Sequence, residues 1–152
     1  MKKYLLTFIV MFVSVLNVLA DDETTGAKFT IKTSKAIGET IEIEAICTNT
    51  SDAITVDWGD GGQTSYTSTR PWSGLITAED KIKSKTITIS GNIKQLEIKK
   101  AGLTAFEATG ADAIEKLTLT DNELTGLTLT DMPKLTYLNL GSNKLESSKL
   151  SI

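Results

Sequence analysis

From Lys28 to about Asn92 the chain alternates apolar and polar residues. Phe29 and Ile31 form one such pair of apolar positions. Ile41, Ile43 and Ala45 form the next set, followed by Ile54, Val56 and Trp58, and later by Ile87 and Ile89. A period of two in segments rich in Ile, Val and Thr, parted by Gly, Asn, Ser and Asp, predicts half-buried strands. No window in this region carries a 3.6-residue apolar stripe. Residues 28–92 are therefore expected to form a small β-sandwich.

From Ile93 onward the pattern has a longer period. Leu96-x-Ile98, Leu117-x-Leu119 and Leu138-x-Leu140 recur every 21 residues. Leu103, Leu124 and Leu145 keep the same spacing, as do Phe106 and Leu127, and Ala108, Leu129 and Leu150. Ala111 aligns with Met132, and Ile114 with Leu135. One such unit cannot bury its own leucines, so successive units must stack. Each would offer a short L-x-L strand with its leucines inward. Asn122 and Asn143 fall at the bend, where an amide can bond to backbone groups that the turn leaves unpaired. The first copy has Ala101 at the Asn position, so it reads as a transition from sandwich to coil. Leu127-Thr128-Leu129 supplies a second extended segment per coil, since Thr-rich runs disfavour helix.

The L-x-L-x-x-N-x-L pattern at this period resembles the leucine-rich-repeat family across residues 93–152. Within residues 28–92, the Asp57-Trp58-Gly59-Asp60-Gly61 run after Ile54-Thr55-Val56 resembles the signature of polycystic-kidney-disease (PKD)-type immunoglobulin-like modules. That resemblance implies a strand-turn-strand of an extracellular sandwich. Asp-Gly supplies the positive φ of a tight hairpin, and Trp58 is expected to pack inward. Asp57 and Asp60 read as turn residues in preference to a calcium site, which needs more oxygen ligands. The whole chain is thus expected to be all-β: a sandwich followed by a short leucine-rich-repeat solenoid of about three 21-residue coils. The combination resembles secreted leucine-rich-repeat proteins of Gram-negative bacteria, which carry many more coils.

Composition narrows the functional classes. Residues 1–20 have the order of a secretory signal: Lys2 and Lys3, an apolar run from Tyr4 to Leu16, then Val18-Leu19-Ala20 before an acidic stretch. Removal leaves 14 basic against 19 acidic residues, a net charge of −5. Such an acidic chain without a basic stripe argues against nucleic acid. Contact with a membrane is expected only during export. Cys47 is alone in the chain and shares a face with Ile41, Ile43 and Ala45, so it reads as a core residue. There is no histidine, which removes the Ser-His-Asp and Cys-His designs and imidazole zinc sites. No cofactor motif is present, and the chain is read as no enzyme.

Binding is the expected role. Between the inward leucines lie Gln95, Lys116 and Tyr137, then Glu97, Thr118 and Asn139, then Lys99, Thr120 and Gly141. In the leucine-rich-repeat family this ladder lines the face that commonly binds proteins, and Tyr137 is its one aromatic; the same mix of Lys, Glu, Thr and Asn equally suits a plain solvent-facing sheet. Trp72, in Arg70-Pro71-Trp72-Ser73-Gly74, is either a loop contact for a protein or glycan or, as we expect, a lid folded over the sandwich. The last coil lacks a polar cap, so its edge invites self-association. The expected function is a secreted, periplasmic or cell-surface binding or adhesion module for protein or glycan. The alternative is a structural envelope piece, or a fragment of a longer repeat protein.

Overall fold

The structure, a computed structural model, describes residues 26–70 and 72–152. The expected export signal, residues 1–20, lies outside them. The described chain is all-β. In order it forms β1 (Ala27–Thr33), β2 (Thr40–Cys47), β3 (Ala53–Asp57), β4 (Thr64–Thr67), β5 (Leu75–Lys81) and β6 (Thr86–Gly91). These are followed by β7 (Ile93–Glu97), β8 (Leu103–Thr109), β9 (Lys116–Thr118), β10 (Leu127–Thr128), β11 (Tyr137–Asn139) and β12 (Leu150–Ser151). One five-stranded sheet runs β4-β3-β6-β1-β8 and a second runs β11-β9-β7-β2-β5; β10 and β12 form a two-stranded third. None closes into a barrel.

The two-residue period does what pleating demands. In β1, Ala27, Phe29, Ile31 and Thr33 are buried while Lys28 and Lys32 are exposed. Both large sheets send their alternate side chains into one continuous core that includes Phe29, Ile43, Ile54, Trp58, Ile87, Leu96 and Leu117. Each fully buried Ile or Leu contributes about 1.5–3 kcal/mol. Trp58 packs edge-on against Tyr66 with ring centroids 6.3 Å apart, and its Nε1 donates to the Tyr66 Oη at 3.0 Å. Cys47 lies in this core, where burial first, and Asp52 second, push its thiol up to about 11.

The turn after β3 is built by side chains and two glycines. Asp57 Oδ1 accepts from the Gly59 and Gly61 N–H groups at 2.8 and 3.1 Å, and Asp60 Oδ1 accepts from Gly62 N–H at 3.1 Å. Positive φ falls on Gly59 and Gly61, not on Asp60. A Cβ at Gly59 would stand 2.4 Å from that of Ser84, so glycine is required there for space as well as for conformation.

Hydrogen bonding runs straight across position 92/93. β7 pairs antiparallel with β2, and β8 pairs antiparallel with β1, where Ile31 faces Phe106 and the Phe29 and Phe106 rings lie 5.8 Å apart. The second half of the first repeat is therefore an ordinary strand of the first sheet. Beyond it the pairing becomes parallel and periodic. Leu96 is opposite Leu117, and Leu117 opposite Leu138. Ile98 N–H donates to the Thr118 carbonyl and Leu119 N–H to that of Asn139, both at 2.9 Å. The corners share the period. Lys100, Asp121 and Ser142 have φ of 53°, 55° and 57°, and on the opposite corner Gly110 and Asp131 have 61° and 58°.

Asn122 fastens one rung to the previous one. Its Oδ1 accepts from the Ala101 and Leu103 N–H groups at 3.0 and 3.1 Å, and its Nδ2 donates to the Ile98 and Thr120 carbonyls at 2.9 and 3.0 Å. Asn143 repeats the arrangement with Leu124 N–H and the Leu119 and Leu140 carbonyls. At Ala101 no earlier rung exists to be fastened. The end of β1 takes that place: Thr33 Oγ1 donates to the Ala101 carbonyl at 2.6 Å, and Ser34 N–H to that of Gly102 at 2.8 Å.

One register differs from expectation. Leu150 pairs with Leu127, 23 residues earlier, and not with Leu129. A single 3₁₀ turn at Ser147–Lys149 lengthens the last return segment and shifts it by two residues.

Replacing Asn122 takes a buried partner from the Ala101 and Leu103 N–H groups and the Ile98 carbonyl, each costing about 1–3 kcal/mol when unpaired, while the Thr120 carbonyl keeps Lys100 N–H. Asn122→Ala should therefore lower unfolding free energy by about 3–5 kcal/mol in urea titrations. Asn143→Ala, at a half-exposed site, should cost about 1–2 kcal/mol.

Candidate functional site

The second sheet places strands from both halves of the chain side by side. Because β5, β2, β7, β9 and β11 are adjacent, one residue from each forms a row perpendicular to the strands: Leu75, Ile46, Gln95, Lys116, Tyr137. A second row is Thr77, Glu44, Glu97, Thr118 and Asn139. At about 4.8 Å per strand, each row spans roughly 19 Å.

A shallow groove of about 280 Å³ follows these rows, lined by Glu44, Ile46, Leu75, Gln95, Glu97, Lys116, Thr118 and Tyr137 among others. Of the residues that sequence pattern assigns to the face, Gln95, Glu97, Lys116, Thr118 and Tyr137 line it. Lys99 reaches it through an ion pair with Glu97. Asn139 sits at its rim, donating from Nδ2 to Tyr137 Oη at 3.4 Å. Thr120 lies past the strand end, where its carbonyl accepts from Lys100 N–H.

Trp72 is not part of the groove, nor is it the lid that was expected. It is 85% exposed. The turn explains why. Ser73 and Gly74 N–H both donate to the Arg70 carbonyl, and this draws Gly74 under the loop and leaves the ring outside. Gly74 is itself buried, and a Cβ there would lie 3.7 Å from Ile46 and 3.2 Å from Thr50. Backbone therefore fills the place that a lid would cover.

Sequence reasoning missed Glu44, Ile46 and Leu75. One signal was available for Ile46. It is the apolar residue out of phase with Ile41, Ile43 and Ala45, so it must point to the outer face of β2. Leu75 and Glu44 become neighbours of the rungs only through long-range antiparallel pairing.

The groove carries an unusual charge arrangement. Glu44 and Glu97 are direct cross-strand partners and share a side-chain hydrogen bond. That bond holds the Glu44 carboxyl above the usual carboxylate range, with burial and the Glu97 charge adding to the effect. The neighbouring Lys99 holds Glu97 below it. The two carboxyls are thus shifted in opposite directions, Glu44 upward and Glu97 downward. Among the described residues, no group of three or more Cys, Asp or Glu is arranged to hold a metal ion.

Comparison with known proteins gives no matching family model, no matching curated protein and no matching solved structure.

A native state that binds the Glu44 proton more tightly than the unfolded chain is favoured at low pH. That contribution is fully present below the ordinary glutamate pKa and is lost as pH rises through the elevated one. Glu44→Gln should therefore raise the thermal midpoint near neutral pH and leave it little changed in acid. Carboxyl chemical shifts should show Glu44 titrating above Glu97 in the wild type, and Glu97→Gln should bring Glu44 down toward its ordinary value.

Proposed function

We propose that this chain is a non-catalytic, exported binding module whose outer strand face engages a protein partner. In this reading residues 28–92 are a PKD-like sandwich and residues 93–152 are leucine-rich-repeat coils stacked on its open edge. Support for the coils comes from the coincidence at one 21-residue spacing of parallel pairing, left-handed corners and fastening asparagines. Support for export comes from the composition of residues 1–20.

The observation that carries the binding role is the transverse row. Ile46, Leu75 and Tyr137 put apolar surface at the two ends of a concave strip, and polar groups fill its middle. Tyr137 is 48% exposed, which leaves it available as an aromatic anchor. A strip of this kind suits a polypeptide segment with apolar side chains at its ends and hydrogen-bonding groups between. The strand face mixes both signs of charge, and this favours a specific docked register over non-specific adsorption.

The test is retention of a protein from cell-envelope extracts on the immobilised full chain, with a glycan panel run in parallel. A protein should be retained. Tyr137→Ala and Ile46→Asp should each weaken its binding by about tenfold or more, whereas Lys83→Ala, remote from the groove, should not. Retention that survives both groove substitutions, or binding to glycans alone, would contradict this assignment.

A further inference from the structure

Glycine follows an aspartate or asparagine once in the chain, at Asp60-Gly61. The pair lies in the turn between β3 and β4, where Asp60, Gly61 and Gly62 are all exposed. Such a pair has a chemistry of its own. The Gly61 amide nitrogen can attack the Asp60 Cγ, because glycine has no side chain to hinder the approach. A C–N bond forms, and the carboxyl OH leaves with the amide hydrogen as water. Water then opens the resulting succinimide ring at either carbonyl. Opening at the α-carbonyl gives isoaspartate, in which the chain runs on through Cβ and Cγ. The water lost in the first step is regained in the second, and no other reactant is needed.

Hydrogen bonds in the turn act on both reacting groups. Lys83 Nζ donates to Asp60 Oδ2 at 2.6 Å, and Gly62 N–H donates to Oδ1 at 3.1 Å. Lys83 first, and Gly62 second, hold the Asp60 carboxyl below the usual aspartate range. The ionised form is unreactive, since its oxygen cannot leave as water. On the other side of the reaction, Gly61 N–H donates to Asp57 Oδ1 at 3.1 Å, which keeps the attacking nitrogen protonated. Asp57 and Asp80 are the other charges that act on Lys83. The backbone fixes Lys83 in place: its N–H donates to the Trp58 carbonyl at 2.8 Å. The next residue, Ser84, stands where a Cβ on Gly59 would fall. The connection between β5 and β6 is thus pressed against this turn.

We propose that Asp60 is a site of spontaneous isoaspartate formation and that Lys83, carried on the connection between β5 and β6, restrains it. An isoaspartyl link adds one backbone atom to a turn that has no space to move toward Ser84. It also leaves the free carboxylate on Cα, one carbon closer to the chain. Ion pairing by Lys83 therefore preserves the covalent form of the turn as well as its shape.

The test is ageing of the folded full chain at physiological temperature, with isoaspartate located by peptide mapping and electron-transfer fragmentation. It should accumulate at residue 60 before any other Asp or Asn. Lys83→Ala should speed it by about two- to fivefold at neutral pH, the scale of an exposed ion pair. Lys83→Arg should keep the wild-type rate. The protonated acid is the reactive form, so the difference between wild type and Lys83→Ala should close as pH falls below the ordinary aspartate value. A turn merely loosened by the substitution would react faster at every pH. Residue 60 unmodified in both proteins, isoaspartate arising first elsewhere, equal rates with and without Lys83, or a difference that persists in acid would each overturn the proposal.

Discussion

The amide of Asn122 spends its full hydrogen-bonding capacity on four backbone groups, three of them in the preceding rung. The constraint behind it is general: a coil that bends sharply leaves buried N–H and C=O groups that neither strand pairing nor water can reach. One planar side chain with two donors and two acceptor sites resolves the problem from the neighbouring coil. The left-handed residues at Lys100, Asp121 and Ser142 make the bend, and the asparagines at 122 and 143 satisfy it. Stacking is therefore a requirement of the backbone as well as of the leucines. The first rung, which has no rung before it, borrows Thr33 and Ser34 from the end of β1. That borrowing ties the repeats to the first sheet.

The groove is a consequence of the same continuity. Because β7 pairs with β2 on one side and β9 on the other, side chains from residues 44–46 stand beside those from residues 95–97 and 116–118. Neither half of the chain contains the site alone. Ile46 and Leu75 bring apolar surface to a face that the repeats would otherwise make polar. Glu44 changes its electrostatics by sharing a hydrogen bond with Glu97.

Much of this was legible in the residues. Alternation located the strands around Phe29, Ile43, Val56 and Ile89, and the 21-residue spacing located the parallel pairs at Leu96, Leu117 and Leu138. It also put Gln95, Lys116 and Tyr137 in one row. What was not legible depended on pairing between distant segments. Nothing local to Leu103–Thr109 reveals that it binds β1 instead of a coil neighbour, because its inward apolar residues, Leu103 and Phe106, suit both. The two-residue slip at Leu150 comes from a 3₁₀ turn whose sequence, Ser147-Ser148-Lys149, carries no strong signal. Trp72 was misplaced for a different reason. A tryptophan beside Pro and Gly suggests burial, but here Gly74 occupies the buried position.

The central claim is that the rungs and the first sheet are one hydrogen-bonded unit, joined where Asn122 and the end of β1 meet the first coil. Native-state amide hydrogen exchange measures this directly. The Ala101 and Leu103 amides, which donate to Asn122, and those of Leu96 and Ile98 should open only with the global unfolding free energy, together with Ile31 and Ile43. If residues from 93 onward instead exchange through a separate, lower-energy opening while β1–β6 stay protected, the two halves are independent, and neither the shared core nor the composite groove describes this protein.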